Sequence, residues 1–552
     1  MRARGLAASL LVTAFTLFLL FVDKPGRARR DSLLPPFGSI SAAEVAEHLR
    51  FLSSDRLEGR APATAGGTLA AEYLAEQLTR LGYAPAGDEG TFFQRVPVVE
   101  SVIDPQTTIR IDDQPALKIP SEMVVFSDLL DQTIAVSADV VFVGHGIVAP
   151  EYEWDDYAGI NVTGRIVLVM VNEPAATAAE PALFGGAELS YYGRWTYKFE
   201  EAARHGAVGV ILIHTDQSAT YPWQVVQSSW GGPQYSLPPA TGQPALTLKA
   251  WVTDAVAREM TRRGGRDLDA LRRGATVRGA MPVSLGVRVS ASIVRRVEQK
   301  VSPNVIGVLE GSDPSQGVMV TAHYDHLGVR PAGASEPADA DRIYNGALDN
   351  ASGVAGALAI ARAFSAAGAR PRRSIYVMFT TAEESGLLGA EYFVQHPALP
   401  VSAFAAEVNI DELNVFGPSG DLVLLGAERS TILATARRIA ARTGRAIVPD
   451  LEPGQGNFFR SDHFPLAKAG IPAVSVGLPT QFVGPDGESA RARRDAFSER
   501  DYHQTSDEMR DDWNYDSAVD DLRLLGELVW TLAHDPVMPA YRADDPFARP
   551  RK

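Results

Sequence analysis

From about Val287 to Pro539, short apolar runs alternate with stretches of helical spacing, and this alternation constrains the fold more than any other feature of the chain. "GVMVTAH", "SIYVMFTT", "AFAAEVNI" and "PAVSVG" are short and almost continuously apolar. Runs of that kind read as strands buried on both faces. "ASGVAGALAIARAFSAAG", "GLLGAEYFVQH" and "RSTILATARRIAART" lie between them and read as helices. Strands separated by helices predict an α/β fold with a mostly parallel central sheet. Ligands of such sheets bind beyond the carboxyl ends of the strands. The residues at those ends therefore carry the functional argument.

"VMVTAHYDHLG" ends in His323, Asp325 and His326, and "MFTTAEESG" ends in Glu383 and Glu384. "AEVNIDELN" ends in Asp411, and "YNGALDNASGVAGAL" sets Asp349 in a turn ahead of a helix. Further on, "ERDYHQTSDE" carries Tyr502, His503 and Asp507 in a polar loop. Each residue alone has an ordinary explanation, such as a helix cap for Asp349 or a solvated charge pair for the two glutamates. Together they do not. Carboxylates gathered at one rim repel one another and resist ionisation, and none of the first four stretches contains a lysine or arginine. A metal centre would neutralise them. The chain has no cysteine, so such a centre must use imidazole and carboxylate. That donor set suits zinc, with cobalt or manganese as substitutes. Two histidines and three acids give each of two ions one imidazole, one acid of its own and a share of a bridging acid, the make-up of a two-metal hydrolytic site. Neighbouring residues leaving a strand point to different sides. One of the paired glutamates can thus bind metal while the other serves as general base.

The rest of the chain sets the context. A net charge of -15 argues against a nucleic-acid partner. At the N-terminus, Arg2 and Arg4 precede an apolar run from Gly5 to Val22, and Arg27, Arg29 and Arg30 follow it. This reads as an export signal or a retained membrane anchor, which places the protein in the periplasm or secreted, with membrane attachment if the segment stays. "SAAEVAEHLRFLSSDRLEGR" and "GGTLAAEYLAEQLTRLGYAP" read as helices, Gly82 closing the second. From 119 to 286, β-like runs such as "EMVVFS", "GRIVLVMVN" and "VGVILIHT" dominate, with one good helix, "YYGRWTYKFEEAARHGA". This reads as a compact mixed α/β module without a catalytic constellation. The tail from 540 lacks apolar periodicity and reads as disordered. No G-x-S-x-G nucleophile elbow is present.

In "AHYDHLG", "NGALDNASGVAG", "TTAEESGLLGAEYF", "NIDELN", "FRSDHFPLAKAGIPAV" and "DYHQTSDE" the chain resembles the co-catalytic zinc exopeptidases, the family of bacterial leucyl aminopeptidases and glutamate carboxypeptidase. "VFVGHGIVAPEYEWDDYAGINVTGRIVLVMVN" and "YYGRWTYKFEEAARHGAVGVIL" resemble the protease-associated (PA) domain inserted in one branch of it. The resemblance implies a three-layer α/β/α peptidase domain formed by 38–118 and 287–539 and a PA insert at 119–286, which leaves residues 1–37 as the signal or anchor read from the arginines and apolar run. It implies two zinc ions, with His323 and Asp411 on one, Glu384 and His503 on the other, and Asp349 bridging. It implies Glu383 as the base acting on the bridging water, Asp325 as the carboxylate that holds His323, Tyr502 as the group that steadies the oxyanion, and a cis peptide after Asp349. His463 in "SDHFP" is given no role. The implied activity is release of N-terminal residues from peptide substrates. A carboxypeptidase or dipeptidase of the same fold is the alternative, kept open by the arginines of "GPDGESARARRDAFSER". A receptor-like scaffold without catalysis is the reading from a different class, opposed by the complete set of five ligands and base. The residues specify no oligomeric state.

Overall fold

The computed structural model describes residues 35–240, 242–332 and 336–548. A 27-residue strand, Val283–Leu309, runs through the middle of one large sheet and belongs to both of its halves. Its first part, 283–294, pairs with Thr133–Phe142. Its last part, 305–309, pairs with Arg373–Thr380. Between them, 295–305 forms an antiparallel ribbon with Phe93–Ile103. The first part is half-buried: Leu285, Val287, Val289, Ala291 and Ile293 face a core, while Ser284, Arg288 and Ser292 face out. That is the period-two pattern of a strand with one wet face. Arg373–Thr380 is buried along its whole length, as expected for a strand covered on both sides.

The half that carries the strand-end acids is built around Asp313–His323, which has parallel neighbours Arg373–Thr380 and Phe404–Asn409. Ala473–Gly477 extends the parallel order beyond Phe404–Asn409, and Asp421–Leu425 joins it antiparallel. Helices Ala42–Leu52, Ala65–Arg80, Gly353–Ala366 and Tyr515–His534 cover one face in a single apolar core. Leu388–Gln395 and His463–Lys468 cover the other. The expected mostly parallel, three-layer arrangement is what the chain adopts here. Local signals agree with it. Thr64 caps Ala65–Arg80 by accepting the Gly67 N–H at 3.1 Å. Gly82 follows that helix with φ +78°, a left-handed exit that glycine makes without strain.

The second half orders Thr133–Phe142, Ile166–Met170, Gly209–His214 and Leu248–Thr253 as parallel neighbours, with Met123–Phe126 antiparallel at the edge. Trp195–Arg204 and Trp223–Trp230 pack on one face of it. Asp254–Arg263 and Leu268–Gly274 pack on the other.

Three expectations differ from the structure. Thr108–Ile111 pairs with 289–292 and so belongs to the second half, although 38–118 was expected with the first. The expected boundary at 286/287 falls inside the shared strand, because no residue there marks where the strand changes partners. The tail is docked up to 548: the Tyr541 hydroxyl donates to Ile471 O at 2.7 Å, and Phe547 stacks on Phe458 at 5.9 Å. Two aromatics suffice to anchor a stretch that shows no periodicity. Among the described residues, no helix is long and apolar enough to cross a membrane. The N-terminal apolar run lies outside the described residues.

Candidate metal centre

Register brings the expected residues to one edge. His323 ends its strand opposite Thr380, and Thr321 lies opposite Asn409. Glu383 and Glu384 leave the strand on one side of His323, and Asp411 leaves the strand on the other. Asp349 comes from the turn Ala347–Ser352, which precedes Gly353–Ala366. That turn is held by Asp507, whose carboxylate accepts the N–H groups of Leu348 at 2.9 Å and Asp349 at 3.0 Å. The Asp349–Asn350 peptide is cis. Gly346 opens the turn with φ +54°, and a Cβ there would lie 2.3 Å from Asp349 O and 2.5 Å from His326 Cδ2. No residue with a side chain fits that position.

The side chains converge. His323 Nε2 lies 3.2 Å from Asp349 Oδ1 and 3.2 Å from Asp411 Oδ1. His503 Nε2 lies 3.1 Å from Asp349 Oδ2 and 3.1 Å from Glu384 Oε2. Asp349 thus offers one oxygen to each imidazole, as a bridging ligand must. His323, Asp349 and Asp411 present ligand atoms all within 4.8 Å of one another, and so do His326, Asp349 and Glu384. The ion pairs that Asp349, Glu384 and Asp411 make among the described residues are all with imidazoles.

The electrostatics follow from this crowding. Two ionised carboxylates about 4 Å apart repel by about 4 kcal/mol at an effective dielectric of about 20. Burial opposes charge on every group here, yet the neighbours decide the outcome. His323 is driven well above the ordinary imidazole range, because Glu383 and Asp411 outweigh its burial. Glu384 and Asp349 likewise outweigh burial at His503 and carry it up to about 10. In return His503 and His326 hold Glu384 down to about 2 against its own burial. At Glu383 burial, reinforced by Asp411 and Asp462, outweighs the attraction of His323 and pushes it well above the usual carboxylate range. The donor set, its burial and the shared oxygens of Asp349 fit a pair of divalent cations.

Some side chains behave differently from expectation. His323 Nδ1 lies 3.2 Å from the backbone oxygen of Asp325 and 3.9 Å from its carboxylate. The Asp325 carboxylate instead accepts the Glu383 N–H at 3.1 Å. Two residues beyond His323, the carbonyl reaches the imidazole before the side chain does. Tyr502 stacks on His503 with ring centroids 4.0 Å apart and lines the same cavity. His463 stands apart, fully buried with its ring edge-on to Phe458 at 4.9 Å. Burial takes it down to about 3, so it is a neutral packing residue.

Three contributors were given no role in the sequence reading, although His326 was named there as a strand-end residue. His326 bonds Glu384 Oε1 through Nδ1 at 2.6 Å, which leaves Oε2 for the cluster. Its signal was the second histidine of "HYDH". Arg60, fully buried, donates to Tyr324 O at 2.9 Å and Gly346 O at 3.0 Å. It fastens the residue after one ligand to the turn of another, with its guanidinium occupied by carbonyls. Ser229, from the second half, bonds His503 Nδ1 at 2.8 Å. No local signal marks either Arg60 or Ser229.

The cluster opens into a cavity of about 330 Å³ whose lining includes Glu383, Tyr502, Arg460, Arg494 and, from the second half, Tyr221. A histidine–carboxylate cluster at the carboxyl edge of a parallel sheet defines the class of site: buried donors on an α/β scaffold that could hold metal ions. The particular family enters by comparison. Residues 304–525 match the family model of peptidase family M28, in accord with the zinc-exopeptidase resemblance of the motifs. Leupeptin-inactivating enzyme 1 of Streptomyces exfoliatus is 29% identical over 246 residues, 43% of this chain and 50% of that enzyme. The chain thus spans half the length of that relative. A probable zinc metalloprotease of Pyrenophora teres f. teres is 36% identical over 108 residues, 19% of this chain and 22% of the relative. Among solved structures, the aminopeptidase from Aneurinibacillus sp. strain AM-1 aligns over 92% of this chain and 98% of its own, with a TM-score of 0.53 and 18% identity. At that identity the likeness is one of fold.

Proposed function

We propose that this chain is a zinc-dependent exopeptidase that releases N-terminal residues from peptides. The observation that carries the reading is the shared bridging of His323 and His503 by the two oxygens of Asp349, with Glu383 beside them. His323 and Asp411 would hold one zinc, and Glu384 and His503 the other. Such cations, when bound, would lower the pKa of a coordinated water and polarise a carbonyl. Glu383, uncommitted to any cation and anchored at its N–H by Asp325, takes the proton of the attacking water and delivers it to the leaving amine. Tyr502, which lines the cavity, would stabilise charge on the carbonyl oxygen. The 119–286 half is proposed as a PA insert that narrows access, since Thr220 and Tyr221 line the cavity. Work outside the cytoplasm rests on the N-terminal apolar run, and cell fractionation tests it.

A second reading, as a carboxypeptidase or dipeptidase, is favoured by Arg460 and Arg494 in the cavity wall, since guanidinium groups suit a substrate carboxylate. One assay separates the two. Leu-p-nitroanilide, N-acetylated peptides and peptides with a free C-terminus, in a series of lengths, are offered to the enzyme before and after chelation and zinc add-back. Turnover of Leu-p-nitroanilide, blocked by N-acetylation and restored by zinc, is the expected outcome. Cleavage of acetylated peptides from the C-terminal end would replace the first reading with the second.

A further inference from the structure

His503 is an awkward ligand to hold in place. It lies in a loop, not at a strand end, and its backbone has φ +56°. A non-glycine residue in that region is strained and persists only where its surroundings over-determine it. Tyr502 stacks on one face of the ring, and His326 meets it edge-on at 5.7 Å. Neither contact distinguishes the two ring nitrogens. The hydrogen bond that does so comes from Ser229, whose Oγ lies 2.8 Å from Nδ1.

Ser229 stands in the last turn of Trp223–Trp230, in the second half of the molecule. Its position there is well fixed. The next residue, Trp230, packs among Phe126 at 4.6 Å, Trp195 at 5.1 Å and Trp251 at 6.0 Å. Gln234 Nε2 donates to the Ser229 carbonyl at 2.9 Å. The hydroxyl is thus presented to His503 from the aromatic core of the other half. When Nδ1 carries the proton and donates it to Ser229 Oγ, Nε2 keeps its lone pair directed at Asp349 and Glu384. This is the tautomer that can ligate a metal.

The two imidazoles differ in this respect. His323 takes its orienting contact from its own strand end, the carbonyl of Asp325 two residues on. His503 takes it from a residue 274 positions away. We infer that Ser229 is a positioning residue for the second metal site, so that the half outside the peptidase strands completes one of the two sites as well as bordering the cavity. The inference rests on the binuclear reading above and adds a residue and a direction of dependence to it.

The test is zinc titration of the chelated full-length chain by calorimetry, for the wild type, Ser229→Ala and Ser229→Thr, with melting temperatures of the metal-free forms measured alongside. Alanine is a better helix former than serine, so the helix is retained. The wild type is expected to take up two equivalents. Ser229→Ala is expected to keep one at wild-type affinity and to bind the other roughly 10- to 100-fold more weakly, the usual effect of losing the partner of a ligating histidine. Ser229→Thr, which restores a hydroxyl, is expected to recover the second affinity, with metal-free melting unchanged throughout. Equal affinities in Ser229→Ala and wild type would overturn the inference. So would weakening of both sites together, or a threonine variant no better than the alanine one. A wild type that binds a single equivalent would instead overturn the binuclear reading, and this inference with it.

Discussion

The two ends of the histidine–carboxylate cluster are built in contrasting ways. The His323–Asp411 end is made by adjacent parallel strands whose register alone brings the ligands together. The Glu384–His503 end joins a strand terminus to a distant loop and relies on contacts from outside the sheet: His326 on Glu384 and Ser229 on His503. Asp349 spans the two from a turn that Asp507 secures. A parallel sheet thus supplies one rigid site at little additional cost, while a second site beside it has to be assembled from separate pieces. Under the proposed two-metal reading, chemistry that needs both ions depends on the less self-sufficient end.

The largest effect expected is one that ignores this difference. Glu383→Ala should lower turnover by roughly 10²–10⁴-fold, the range for a general base, while zinc content stays at the wild-type value. If zinc is lost as well, Glu383 is a ligand, and the division of labour between the paired glutamates fails. Asp507→Ala strikes the piece common to both ends. It leaves two buried N–H groups without an acceptor, at about 1–3 kcal/mol each, so denaturant unfolding should show the loss and both zinc affinities should fall together. A loss confined to one site would show that the Asp349 turn serves only one of the ions.

The finest comparison is by pH. His503 is carried up to about 10, and His323 also lies well above its ordinary range. Those upward shifts predict that both are protonated at neutral pH in the metal-free protein, while a ligating imidazole must be neutral. Zinc uptake near pH 7 should release one proton from each imidazole, and apparent affinity should rise with pH until the imidazole pKa values are passed. Calorimetry in buffers of different ionisation heat measures the release. Absence of any release would mean that the imidazoles are already neutral and that the carboxylates do not hold them charged.

What could be read from the sequence follows the range of the contacts. His323, Glu383, Glu384 and Asp411 were legible because each closes or follows a short apolar run, and a parallel sheet collects such ends at one edge. Asp349 was legible from the turn that precedes an apolar helix. His503 needed the family motif, since nothing local distinguishes it from a surface histidine. Arg60 and Ser229 act across 264 and 274 residues, and no local pattern encodes such a contact. The long strand was also hidden in part. Its middle, "RRVEQK", lies in a narrow ribbon with Phe93–Ile103 and the short strand Gln234–Ser236, where water reaches enough of the surface to erase the apolar alternation.

That strand governs how the molecule can be dissected. Because Val283–Leu309 is a ladder rung for both halves, no flexible peptide exists there at which a cut would free one from the other. A chain ended near position 286 would strip Thr133–Phe142 of most of its partner and leave raw backbone donors and acceptors along an open edge, an invitation to aggregate. Isolating either half calls for a replacement strand rather than a pair of scissors.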